Sequence, residues 1–219
     1  MNFDWSVVWH NADALVEGTK LTVLFAVTTM AISIPGGILL AVMRLSRVRV
    51  LVVASASFTE LFRNLPLILV IYTAYYVMPV ATGLSLSPVV TGIVALSLNV
   101  AAYNGETFRA GIASIRTGQS EAAYALGMTR WQTMRDIVLP QAVRRVLPVL
   151  ASTWVSLFKD TSLVSVISVA ELAYTSMRVR SQTFRVLEML TAMAAIYWML
   201  GYPQAKLVDW INRRYSVKE

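Results

Sequence analysis

The placement of charge constrains this chain more than any other feature. Asp, Glu, Lys and Arg are absent from Leu21 to Met43, 23 residues, and again from Asn64 to Gly105, 42 residues. A 23-residue helix is about 35 Å long, enough to cross a hydrocarbon core of about 30 Å with modest tilt. Forty-two residues would make a helix of about 63 Å, more than one crossing needs. Pro79, Gly83 and Pro88 therefore divide the longer run into a span ending near Met78 and another starting near Val89. Asn64 to Met78 alone is too short to cross, so the first of these must begin upstream, in Leu51 to Phe62. Val146 to Phe158 is apolar again; Lys159 and Asp160 interrupt, and Thr161 to Ala170 resumes, a fourth span with a polar break. Met189 to Ala205 is a fifth uncharged run of 17 residues, which Val186 and Leu187 extend.

The expectation is an all-α membrane protein, one transmembrane domain over 1–219. Its five transmembrane helices lie at about 20–44, 54–78, 88–112, 141–170 and 186–207, with a long loop at 113–140. The first run is not a signal peptide. Asp4, Asp13 and Glu17 precede it with only Lys20, so the basic leader is missing, and the run is too long. Pro35, Gly36 and Gly37 inside it predict a kink.

Composition agrees: 57% of residues are apolar and 14% charged, against about a quarter charged in soluble domains. The net charge of +7 does not make a nucleic-acid binder, because the basic residues are sorted by side. With five spans, 14 of the 19 Lys and Arg fall on one side and 5 on the other. The positive-inside rule then places the N-terminus outside and the C-terminus in the cytoplasm. Trp5, Trp9, Trp210 and Tyr215 suit interfacial anchors at the two ends. The chain has no Cys and one His, His10. Thiolate chemistry, histidine-rich metal sites and an intramembrane Ser-His pair are excluded, leaving an enzyme only Ser-Lys or carboxylate chemistry.

The 113–140 loop contains GQSEAAYALGMTRWQTMRDIVLPQA. Ser120 is placed to cap a short helix with Glu121 in its first turn, where the helix dipole favours an anion. Ala122, Ala123, Ala125 and Leu126 give that helix a small-residue surface open to close approach by another backbone. Gly127 is suited to end it in a left-handed conformation. Thr129 and Gln132 have capping-box spacing for a second helix, to which Trp131 and Met134 add apolar bulk, and Pro140 stops that helix or marks re-entry to the membrane. Local physics allows either a docking element or an amphipathic helix lying on lipid.

Glu121, Ala122, Ala123, Gly127, Ile137, Leu139 and Pro140 match in spacing the EAA loop of ABC importer permeases: EAA, three residues, G, nine residues, I, one residue, L, P. AAYNGETFRAGIASIRTGQ, FRNLPL at Phe62 to Leu67, LFKDTSLVSVISVAEL at Leu157 to Leu172, and the opening FDWSVV with EGTKLTV are similar to segments of polar amino-acid permeases, the opening to glutamate and aspartate members. The resemblance covers nearly the whole chain. It implies a type I importer half in the bacterial inner membrane, paired with itself or a sister permease. It also implies two cytoplasmic ATPase subunits that hold ATP and Mg, a periplasmic solute-binding protein, and an amino-acid substrate. The coupling residues so implied are Glu121, Ala122, Ala123, Leu126, Gly127, Ile137, Leu139 and Pro140. The chain itself carries no GxxxxGK[ST] to cradle a phosphate, so no catalytic residue, cofactor or metal is expected on it.

Polar groups at membrane depth are the substrate candidates: Asn99 and Tyr103, four apart and on one helix face, and the Lys159, Asp160, Thr161, Ser162 cluster. Glu106 and Arg109 are spaced for a surface pair, and Glu171 for a structural partnership with an arginine. The competing reading is an ATP-independent channel or secondary transporter for small polar solutes. It would need intramembrane carboxylates as ion relays, which the uncharged runs scarcely offer, and has no use for the loop motif.

Overall fold

The computed structural model describes residues 3–215, and regular structure among them is helical. In order come α1 (Ser6–His10), α2 (Ala12–Arg44), α3 (Arg49–Asn64), α4 (Leu67–Tyr72), a π-helical turn (Thr73–Val77), α5 (Met78–Thr82), α6 (Pro88–Ala113) and α7 (Thr117–Ala125). There follow α8 (Arg130–Gln132), a second π-helical turn (Thr133–Val138), α9 (Leu139–Asp160), a 3-10 segment (Thr161–Ile167), α10 (Leu172–Thr183) and α11 (Val186–Tyr215).

α2 and α6 are long and apolar enough to span a membrane. α6 coincides with the expected third span, while α2 starts eight residues before the expected first. It runs unbroken through Pro35, and the adjoining glycines serve packing. A Cβ on Gly37 would lie 2.7 Å from Asn104 Cβ and 2.9 Å from the Gly105 nitrogen, so the two helices touch backbone to backbone there. Gly37→Ala should therefore destabilise the purified protein by about 1–3 kcal/mol, the usual cost of overpacking. Thermal unfolding in detergent would register this, with Gly118→Ala, which meets nothing within 4 Å, as the neutral control.

Where one span over 54–78 was expected, α3 and α4 meet at a bend of 108°. Pro66 is the cause. It lacks an N–H and forces Leu65 into an extended conformation (φ −88°, ψ 135°), which ends α3. The bent pair counts as a third span if taken together; where a span over 141–170 was expected, α9 ends at Asp160 and the 3-10 segment follows, and α11 starts at the expected 186 but runs eight residues past 207. Both π-helical turns end two residues before a proline, Pro79 and Pro140. A wide turn accommodates a residue that cannot donate to the ladder, so of the two roles expected for Pro140, stopping the helix or marking re-entry to the membrane, the first does not hold.

Phe25, Ile71, Leu96, Leu157, Val164 and Ile167 form the main core, where α2, α4, α6, α9 and the 3-10 segment converge. At the amino-terminal edge, Asp4 N–H donates to Glu188 at 2.9 Å, tying the start of the chain to α11. The Ser6 hydroxyl and backbone N–H on Asp4 hold its carboxyl below the ordinary range.

Candidate functional site

Two constellations stand out, a knob in the 113–140 loop and a cavity between α6 and α9. The knob is built by local chemistry. α7 begins at Thr117, three residues before the cap expected at Ser120, because Arg116 already provides the turn into the helix. Glu121 thus lies in the second turn of α7. Gly127 has φ +78°; its N–H donates to Tyr124 O at 2.9 Å and that of Met128 to Ala123 O at 3.1 Å. This is the paired closure of a helix end that a left-handed glycine permits. Thr129 and Gln132 then form the expected capping box. Ala123 is buried against the following helix, whereas Ala122, Tyr124, Leu126 and Trp131 face outward, Leu126 at 83% exposure and Trp131 at 70%. Beneath them Ile115, Val138 and Ala142, with Ile112 and Met134, pack a small core that joins the knob to α6 and α9. Ile137 is partly buried, and Leu139 and Pro140 are exposed on the continuous helix.

The cavity, about 420 Å³, is lined by residues that include Asn99, Tyr103, Ser152, Ser156 and Asp160. Asn99 is the twelfth of the 26 residues of α6, so the cavity lies near mid-helix. Asn99 Nδ2 also donates to Phe62 O at 2.7 Å and the Tyr103 hydroxyl to Arg63 O at 3.3 Å. These side chains satisfy carbonyls that α3 leaves open at its bend, so they serve fold and cavity together. Tyr103 also lines an adjoining space of about 440 Å³ with Arg63, Glu106 and Arg145. Arg63 lies 5.5 Å over the Tyr103 ring, and Glu106 is paired with Arg109 at 2.5 Å, as its spacing predicts.

The four-residue polar cluster does not act as one group. Only Asp160 reaches the cavity. Lys159 lies in a separate groove with Tyr197, Trp198, Gly201 and Tyr202 of α11. Thr161 is buried, its hydroxyl donating to Phe158 O, and Ser162 donates to Lys159 O. Successive helical residues point about 100° apart, so neighbours cannot share a face. Ser152, Thr153 and Ser156 escaped the sequence reading; their signal is a hydroxyl stripe at helical spacing leading to Asp160. Glu171 is bonded by neutral groups alone, not by the arginine its sequence context had raised. No group of three or more metal-ligating side chains occurs among the described residues.

Comparison with known proteins agrees with this geometry. Residues 33–217 match the family model described as "Binding-protein-dependent transport system inner membrane component". The chain is 37% identical to the glutamate/aspartate import permease protein GltK of Escherichia coli O157:H7, over 97% of this chain and 98% of that one. It is 33% identical to the glutamine transport system permease protein GlnP of Escherichia coli K12, over 99% and 100%. Among solved structures, an amino acid ABC transporter crystallised with histidines superposes with a TM-score of 0.92 at 29% identity, covering 98% of this chain and 100% of that one. The chain belongs to the binding-protein-dependent transport system inner membrane components, as an ABC importer permease of the amino-acid kind without an ATPase site of its own.

Proposed function

We propose that this chain spans the bacterial inner membrane five times, N-terminus outside and C-terminus in the cytoplasm, as half of the translocation path of an ATP-driven amino-acid importer. A second permease completes the path, two ATPase subunits dock on the 113–140 loops, and a periplasmic binding protein delivers the substrate. Closure of the ATPase dimer around ATP and Mg moves the two knobs together and switches the path between its inward- and outward-facing states. The observation that carries this reading is the knob: two helices locked at fixed angle by Gly127 and the capping box, with Leu126 and Trp131 left in the open. Exposed apolar side chains mark a surface that meets protein or lipid, and the match of this loop to the permease motif supports protein.

The cavity lining supports a substrate that carries both charges. Asp160 supplies an anion for an ammonium group, and the adjoining space beyond Tyr103 supplies Arg63 and Arg145 for carboxylates. That layout supports glutamate or aspartate as the cargo, with glutamine next.

Because the chain has no native Cys, Leu126→Cys gives a single attachment point. In membranes holding the complete complex, a short bifunctional reagent at this position should link the permease to the ATPase subunit. Labelling by lipid-phase reagents instead, with no linked ATPase, would mean that the loop lies on the bilayer surface and does not dock.

A further inference from the structure

Glu171 is wholly buried, and the transport cycle described above gives it no role. Its carboxylate accepts from the Tyr174 N–H at 2.7 Å, the Ala173 N–H at 2.8 Å and the Tyr197 hydroxyl at 3.0 Å, and the single proton of the Thr22 hydroxyl is shared between it at 3.4 Å and Gly18 O at 3.1 Å. Thr22 in turn accepts from the Leu172 N–H at 3.2 Å. One side chain therefore ties α2, the start of α10 and the middle of α11.

The need arises just upstream. Between Asp160 and Leu172 the backbone leaves the α-helix, passes through the 3-10 segment and turns at Ser168 with φ +63°. Such a break inside a membrane protein persists only where protein groups satisfy the freed donors, and Glu171 takes two of them. The break is also what ends α9 at Asp160. Tyr197 carries the constraint back to that helix: its ring meets Phe158 edge-on, with centroids 6.2 Å apart. Leu157 and Phe158 are both buried, so their seating fixes the rotation of the last turn of α9. That rotation turns Asp160 towards α6 and Lys159 towards α11.

We propose that Glu171, acting through Tyr197 and Phe158, is a positioning residue that sets the last turn of α9 and so holds the Asp160 carboxylate at the substrate cavity. The proposal rests on the reading of that cavity as the substrate site. It makes a hydrogen bond between two residues outside the cavity lining a determinant of substrate affinity.

A double-mutant cycle on ATP-driven uptake by the complete complex in proteoliposomes tests it, with KM and maximal rate measured for the wild type, Tyr197→Phe, Asp160→Asn and the double variant. Tyr197→Phe should raise KM about threefold to tenfold, the range of a lost hydrogen bond, with the maximal rate within about twofold. In the Asp160→Asn background the same change should add nothing to KM, because residues acting through one another are not additive. Thr22→Val, which removes a different partner of Glu171, should repeat the pattern and serves if Tyr197→Phe assembles poorly. Equal factors in both backgrounds, or a fall in maximal rate with KM unchanged, would overturn the positioning role and leave the cavity assignment standing. An unchanged KM in Asp160→Asn alone would overturn the cavity assignment, and the positioning role with it.

Discussion

A Gly127→Val variant should insert and fold, yet lose uptake by about tenfold to a hundredfold. Gly127 sits at φ +78°, a conformation that costs an ordinary L-residue about 1–2 kcal/mol and a β-branched one more. Valine would escape that strain by unwinding the end of α7, which opens the Gly127–Tyr124 and Met128–Ala123 hydrogen bonds. Leu126 and Tyr124 would then leave their fixed positions relative to Trp131. If docking loses about 1.4–3 kcal/mol, ATPase association falls by the tenfold to hundredfold quoted. Nothing lies within 4 Å of a Cβ at Gly127, so the effect is conformational and not a clash. Gly127→Asn, which tolerates the left-handed region, should keep most of the uptake. Gly118→Val, at an open position in the first turn of α7, should keep nearly all of it. Parallel measurement of uptake and of ATPase retained on the purified permease distinguishes these outcomes. Full transport by Gly127→Val would remove the knob from the mechanism.

Asp160→Asn should raise the KM for uptake by about tenfold to a hundredfold while leaving ATPase association intact. The substitution keeps shape and removes the anion that lines the cavity with Ser152 and Ser156 of its own helix and with Asn99 and Tyr103 of α6. A hydrogen bond to a charged group is worth about 1.5–3 kcal/mol, which sets that range. Ser156→Ala, which loses a neutral partner, should raise KM by only about twofold to tenfold. Lys159→Gln provides the contrast, since the lysine lies in the groove against α11; it should leave KM within about twofold. A reversal of that order, with Lys159 dominating affinity, would place the substrate on the other side of α9.

The long elements were legible because lipid imposes a pattern that tertiary context cannot override: uncharged runs of a set length must become spans. The Pro88 start of α6 and the Gly127 and Thr129–Gln132 corner could be read locally, since each depends on a residue with one strong conformational preference. The 108° bend was harder. Leu65–Pro66 announces a break, but its angle depends on Asn99 and Tyr103, some 35 residues on, satisfying the carbonyls of α3. The Ser120 cap failed for a local reason, since Arg116 already turns the chain into α7. In the Lys159–Ser162 cluster adjacency in sequence is not adjacency in space, since the helix sends Lys159 and Asp160 to different grooves. Glu171 could not have been assigned from sequence, because its partners Thr22 and Tyr197 lie far from it in the chain.

Uptake by the complete reconstituted complex tests the central claim most directly. The permease, ATPase and binding protein would be placed in vesicles with ATP inside and offered labelled glutamate, aspartate, glutamine, histidine and arginine in turn. Accumulation against a gradient that requires both ATP and the binding protein, greatest for glutamate and aspartate, is the predicted result. Equal uptake without ATP or the ATPase would contradict it and make the chain a channel or secondary transporter.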